Sequence, residues 1–211
     1  MIVKVKLIGT SPLVMHANTL ANPLHPMKKK IAALTGKRKK TDSDHIEIAR
    51  LEFIAGMYHD KERGPYIPRQ NIRKMLIEAA RKDKNGKQFE QGIYIVDDAP
   101  LEYDGPRDIQ GLYEAVDEDE NPQFCWSTIV GNQKSSILRT RPRFTDWGCE
   151  FEVEIVPELV DMPTFETALD KAKISGGLCD ARVLGYGRFS PTVLEQETNG
   201  RIRKGELVAS R

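Results

Sequence analysis

Residues 176–189 read Gly-Gly-Leu-Cys-Asp-Ala-Arg-Val-Leu-Gly-Tyr-Gly-Arg-Phe. A helix predicted over 163–174 runs into the paired glycines. The turn Gly185-Tyr186-Gly187-Arg188 then leads into a last strand over 188–195. Glycine admits backbone conformations and close approaches that other residues forbid. Successive N–H groups in such a turn can form a concavity for an anion, and Arg182 and Arg188 flank it. The competing reading, favoured on the loop alone, is a helix C-cap followed by a tight turn.

The other elements follow outward from this turn. In the helix before it, Phe165, Ala168, Leu169 and Ala172 are the apolar residues. Segments 136–144 and 149–156 are expected to pair as a hairpin. Arg139, Arg141 and Arg143 then share one strand face, about 6.6–6.8 Å apart. A turn at 145–148 would set them opposite Glu154, Glu152 and Glu150, which favours a ladder of opposite charges over a phosphate-tracking stripe.

Further upstream, 92–96 reads as a strand. A helix over 69–82 turns Ile72, Met75, Leu76, Ala79 and Ala80 inward. Arg69 and Arg73 lie one turn apart near its start, where the helix end already carries partial positive charge, so an anionic partner is expected there about as readily as none. At the N-terminus, Val3, Val5 and Leu7 alternate with Lys4 and Lys6, the pattern of a half-buried strand.

The insertions are legible too. Residues 17–64 form a basic, then helical, insertion, with a helix over 44–57 capped by Asp44 and Glu47. Its Ile46, Ala49, Phe53 and Met57 share a face. Residues 97–135 form an acidic, irregular insertion. Residues 197–211 form a flexible tail. Without the insertions the order is strand, helix, strand, strand, helix, strand. The expected fold is thus α+β, a ferredoxin-like antiparallel sheet of the RNA-recognition-motif type, with two helices on one face, in a single domain spanning 1–211.

A net charge of +1 conceals segregation. Lys28, Lys29, Lys30, Lys37, Arg38, Lys39 and Lys40 form a basic run without an acid. Residues 97–120 hold ten acids and one base. Basic runs attract polyanions by releasing counterions, although a charge run alone is usually a solvated loop. No stretch is apolar enough to span a bilayer. The start lacks an apolar signal core, and three scattered cysteines suit a reducing compartment. The expected location is the cytoplasm.

Two motifs together resemble the RAMP superfamily of CRISPR-associated proteins. Tyr66-Ile67-Pro68-Arg69-Gln70-Asn71-Ile72-Arg73 is similar to that superfamily's Ile-Pro-Gly-Ser-Ser-Leu-Arg-Gly pattern at the first helix. Gly185-Tyr186-Gly187-Arg188-Phe189 is similar to its C-terminal glycine-rich loop. Arg69-Gln70 stands where a Gly-Ser pair is usual. The strand ending in Ser11-Pro12-Leu13 adds to the likeness. The resemblance is strongest to the RNA-coating backbone subunit of multisubunit effector complexes, and its departures fit a divergent member carried by a virus or mobile element as well as a standard one. It implies single-stranded CRISPR RNA as ligand, and copies of the chain or other effector subunits as partners. It also implies RNA contacts by Arg69, Arg73, Gly185, Gly187 and Arg188. The basic run and Arg182 add charge to that set.

Enzyme signatures are sparse. His16, His25, His45 and His59 lack metal-ligand spacing, and no phosphate-binding Gly-Lys-Ser/Thr loop is present. Neither a metal nor another cofactor is expected. Nonenzymatic RNA binding by phosphate and shape contacts is the favoured reading. The alternatives are a viral mimic that blocks CRISPR complexes, a phage single-stranded DNA-binding protein, and a metal-independent endoribonuclease using His16.

Overall fold

The computed structural model describes residues 1–132, 135–198 and 201–204. They form an α+β protein with antiparallel sheets and six α-helices. The chain divides into two compact units, a division the sequence reading did not make. The first holds 1–13, 66–103 and 145–211, and the second holds 14–65 and 104–144.

The first unit is built on β1 (Ile2–Gly9). It pairs antiparallel with β9 (Gly148–Ile155) on one side and β10 (Phe189–Thr198) on the other. Beyond β9 lie β5 (Ile93–Ile95) and β6 (Ala99–Glu102). The last two residues of β4 (Gly64–Ile67) pair with β6. Beyond β10 lies β11 (Arg201–Lys204). Two helices, α3 (Arg69–Arg81) and α6 (Met162–Ser175), pack on each other. A short α4 (Gly86–Gly92) leads into β5.

The alternation read in β1 governs the core. Val3, Val5 and Leu7 are fully buried opposite Val153, Phe151 and Cys149. Ile72, Met75 and Leu76 of α3 and Phe165 and Leu169 of α6 complete the apolar layer. On the other face, Lys4 and Lys6 bond to Glu150 at 3.0 and 3.1 Å, and Lys6 also reaches Glu102 at 3.1 Å. Gly9 permits a close crossing: a Cβ there would lie 2.3 Å from the Trp147 indole nitrogen, which donates to the Ser11 carbonyl at 2.8 Å.

In the second unit, α1 (Pro26–Thr35), α2 (Asp42–Gly56) and α5 (Ile109–Glu114) accompany a three-stranded sheet. Its order is β2 (Leu13–Val14), β8 (Ser135–Phe144) and β7 (Cys125–Asn132). A two-residue β3 (His59–Asp60) pairs with the start of β4. The rings of Phe53 and Tyr113 lie 5.4 Å apart, and those of Phe124 and Phe144 lie 5.5 Å apart.

Four expectations need correction. The hairpin of 136–144 with 149–156 does not form. β8 pairs with β7, while β9 pairs with β1, so Arg139 faces Thr128 and Arg141 faces Trp126. Helix α2 begins earlier than expected. Thr41 is its N-cap, and Asp44 closes the capping box that the sequence reading gave to Asp44 and Glu47. Its Ile46 is exposed, because the helix turns Leu51, Phe53 and Ala55 inward. The stretch 97–135 contains β6, α5 and β7, since its acids serve turns and caps: Asp108 accepts from Gly111 N at 2.8 Å, and Asp117 from Asn121 N at 2.8 Å. The stretch read as a tail carries the end of β10 and all of β11; residues 199–200 and 205–211 of that reading lie outside the described residues.

Candidate nucleic-acid interface

The residues singled out in the sequence fall into both units. In the first, the glycine-rich stretch lies against α3. Asn71 Nδ2 reaches Cys179 Sγ at 3.6 Å, and Arg182 Nη1 bonds Glu78 at 2.7 Å. Gly185 and Gly187 both have positive φ, +88° and +70°. A Cβ on Gly187 would lie 2.2 Å from the Leu178 carbonyl oxygen, so only glycine fits.

The N–H groups of Gly185, Gly187 and Arg188 are engaged within the chain. Gly185 N donates to the Arg182 carbonyl at 2.9 Å, Gly187 N to the Pro12 carbonyl at 2.8 Å, and Arg188 N to Ser11 Oγ at 2.9 Å. Their geometry is that of a turn closing the sheet, and it leaves anion binding here to the side chains. Arg188 is exposed, with no ion-pair partner among the described residues.

The start of α3 has an anionic partner from its own chain. Asp98 accepts the Arg69 N–H at 2.8 Å, which meets the helix end with a carboxylate. The Arg69 guanidinium reaches Tyr94 Oη at 3.3 Å, and Arg73 donates to the Glu90 carbonyl at 2.5 Å. The strand face bearing Lys4 and Lys6 also carries Glu102, Glu150, Glu152 and Glu154. Hydrogen bonds from the two lysines hold the Glu150 carboxyl below its ordinary value, and bonding to Glu102 and Glu150 raises Lys6. A phosphate chain would meet net repulsion on that face.

The second unit provides a different surface. Lys28, Lys29 and Lys30 are exposed on α1. Lys37 is paired with Asp44 at 2.6 Å, and Lys40 donates to the Lys37 carbonyl at 3.2 Å. Arg38 and Lys39 are exposed. Along β8, Thr140, Pro142 and Phe144 are buried while Arg139, Arg141 and Arg143 are half-buried, so the three arginines share one face. Trp126 joins them as the cross-strand neighbour of Arg141.

Lys28, Arg139 and Arg141 line a cleft of about 500 Å³ with His16, Asn18 and Glu52. Glu52 is 6% exposed. Arg139 Nη1 donates to its Oε1, and Thr140 N donates to its Oε2 at 3.0 Å. The buried carboxylate is therefore neutralised and orients Arg139, and the other charged side chains of the lining, Lys28 and Arg141, are both cations. Lys28 is legible in the sequence as part of a basic run, but its meeting with Arg139, Arg141 and His16 is not. The alternating arginines were the available signal, and their assignment to the wrong partner strand hid it.

Burial pushes the thiols of Cys125 and Cys179 up to about 11 and about 12, and raises Cys149 as well, which leaves them poor nucleophiles. Among the described residues, no three His, Cys, Asp or Glu side chains converge as metal ligands, and no helix is long and apolar enough to cross a membrane. No protein-family model matches the chain, and no curated protein is recognisably similar to it.

Proposed function

We propose that this chain binds single-stranded RNA without cleaving it, as a divergent RAMP-type protein that coats CRISPR RNA in repeated copies. The observation that carries the binding reading is the cationic cleft. Arg139 and Arg141 line it with Lys28, and their strand pairs with β7, not with the β9 glutamates that the sequence pattern had assigned to them. Phosphate contacts by such groups supply sequence-independent affinity.

The backbone-subunit reading draws on the first unit. Its elements run β1, α3, β5 and β6, β9, α6, β10, and its strands lie in the order β10, β1, β9, β6, with antiparallel neighbours throughout. That arrangement supports a ferredoxin-like assignment. The motifs at 66–73 and 185–189 support the superfamily, with copies of the chain or other effector subunits as partners.

The test is titration of labelled single-stranded RNA at several salt concentrations, with particle mass measured on RNAs of increasing length. Two phosphate contacts, by Lys28 and Arg141, predict about a 7-fold loss of affinity between roughly 50 and 200 mM salt. Copies should be added in proportion to RNA length. A flat salt dependence removes the phosphate-contact model, and a fixed one-to-one complex removes the coating role.

One observation favours the endoribonuclease alternative: His16 lines the same cleft as Lys28 and Arg141, where a base could act on a 2′-hydroxyl. Cleavage in chelator that His16→Ala abolishes would establish it.

A further inference from the structure

We infer that the open sheet face of the first unit receives the basic segment 28–40 of a second copy of this chain. This deepens the coating reading and rests on it for the contact's role. The face is the one opposite the buried Val3, Val5 and Leu7. Pairing registers set Glu197, Ile2, Glu154 and Tyr94 in one row across four strands, and Glu195, Lys4 and Glu152 in the next. With Glu150 and Glu102 added, the glutamates outnumber the lysines, Lys4 and Lys6, by six to two. Arg69 touches the face at its edge, through the Tyr94 hydroxyl at 3.3 Å.

Charge and exposed apolar surface together distinguish this face from a merely solvated one. Both lysines are engaged by Glu150 and Glu102, so Glu152 and Glu154 make no ion pair among the described residues. Carboxylates two residues apart on one strand face repel one another, and a cationic partner relieves that repulsion. Beside them Tyr94 is 52% and Ile2 37% exposed, the aromatic and apolar admixture that protein interfaces carry. The complementary surface is on the same chain. Lys29 and Lys30 on α1, with Arg38 and Lys39 beyond it, are exposed and make no ion pair among the described residues. Segment 28–40 contains no acid. Four strands about 4.8 Å apart and about 20 Å long make a patch of roughly 20 by 20 Å, about half of the roughly 800 Å² per partner in a stable interface. The contact is therefore weak between free copies and strengthened when one strand holds them side by side. It joins two different surfaces, so it can repeat from copy to copy.

The test is sedimentation velocity of full-length protein freed of nucleic acid, with binding of an eight-nucleotide RNA read separately. At roughly 50 mM salt concentrated parent protein should sediment as more than one chain. At about 1 M salt, where the screening length is about 3 Å, it should sediment as one. Glu152→Lys with Glu154→Lys, and separately Lys29→Glu with Lys30→Glu, alter exposed side chains and should each leave single chains at low salt. An equimolar mixture of the two variants should associate again, because the unaltered basic segment of the first meets the unaltered face of the second. A parent that stays monomeric at low salt overturns the contact, as does unchanged association in either variant or a mixture that stays monomeric. Loss of RNA binding with intact association in the Lys29, Lys30 variant also overturns it, since the segment would then serve RNA. RNA binding by a parent that does not associate leaves the RNA-binding reading standing. Association without RNA binding removes that reading and leaves the contact in place.

Discussion

The guanidinium of Arg139, on β8, is bonded to the carboxylate of Glu52, on α2, across 87 positions of sequence. Glu52 is 6% exposed at its side chain and Arg139 39%. The pair fastens strand to helix beneath the cationic cleft and sets the direction of the arginine. Removing one member leaves the other to be desolvated alone.

Arg139→Ala should therefore destabilise the fold by about 1–3 kcal/mol. The melting temperature should drop by about 2–4 °C for each kcal/mol. The double variant Arg139→Met with Glu52→Leu should recover much of the loss, because it removes both charges together. Thermal denaturation followed by circular dichroism measures this. An unchanged melting temperature in Arg139→Ala would mean that Glu52 is satisfied without it.

Arg141→Ala should keep the fold and weaken single-stranded RNA binding, lowering the slope of log affinity against log salt by about one unit. Glu152→Ala should leave RNA affinity as it was or raise it slightly, since Glu152 lies on the β9 face opposite Lys4. Fluorescence anisotropy at several salt concentrations reads both. The reverse ranking would place the RNA on the sheet face of the first unit.

The glycine-rich turn separates structure from charge. Gly187→Val should cost at least about 1–3 kcal/mol, because valine at a positive φ is strained and its Cβ would strike the Leu178 carbonyl. Arg188→Ala should leave the melting temperature within about 1 °C, since surface changes are usually near neutral. If the turn contacts RNA, the second variant should lose several-fold in affinity. A stable Gly187→Val protein would contradict the crossing geometry.

Asp44 gives the fold a defined acid response. The Lys37 ammonium at 2.6 Å and the Thr41 N–H hold its carboxyl at about 2, below an ordinary value of 3.8. A depressed carboxyl stabilises the native state above its unfolded value, and that contribution is lost as pH falls through the folded one. Between pH 7 and 4 the contribution is complete; from about pH 4 to 2 it fades. Asp44→Asn should be less stable than the parent at pH 7, and the difference should close near pH 2. A constant gap across that range would show that charge at Asp44 does not matter.

The helix over 69–82 and the strand over 2–8 were legible because their evidence is local: apolar side chains recur at the period of the element that buries them. The same holds for the helix before the paired glycines and for the Gly187 turn, whose backbone demand is written in its residue type. The partner of β8 was not legible. Two candidate partners offered consistent alternation, and the nearer glutamates at 150–154 gave a convincing charge match. β7, with Trp126, Thr128 and Val130, lay inside a stretch whose ten acids concealed it. Strand pairing is a competition among distant segments, decided by which arrangement buries the most apolar surface and leaves the fewest backbone groups unpaired. By itself the sequence determined the local elements, the apolar faces and the turn that only glycine can make. Only the tertiary structure decided that β1 takes the glutamates of β9 for its lysines, because Val3, Val5 and Leu7 bury against Val153, Phe151 and Cys149 in that register and a one-residue slip would turn them to the other face. With those carboxylates engaged, Arg139 and Arg141 line a cleft with Lys28, a meeting of residues more than a hundred positions apart that no local pattern encodes.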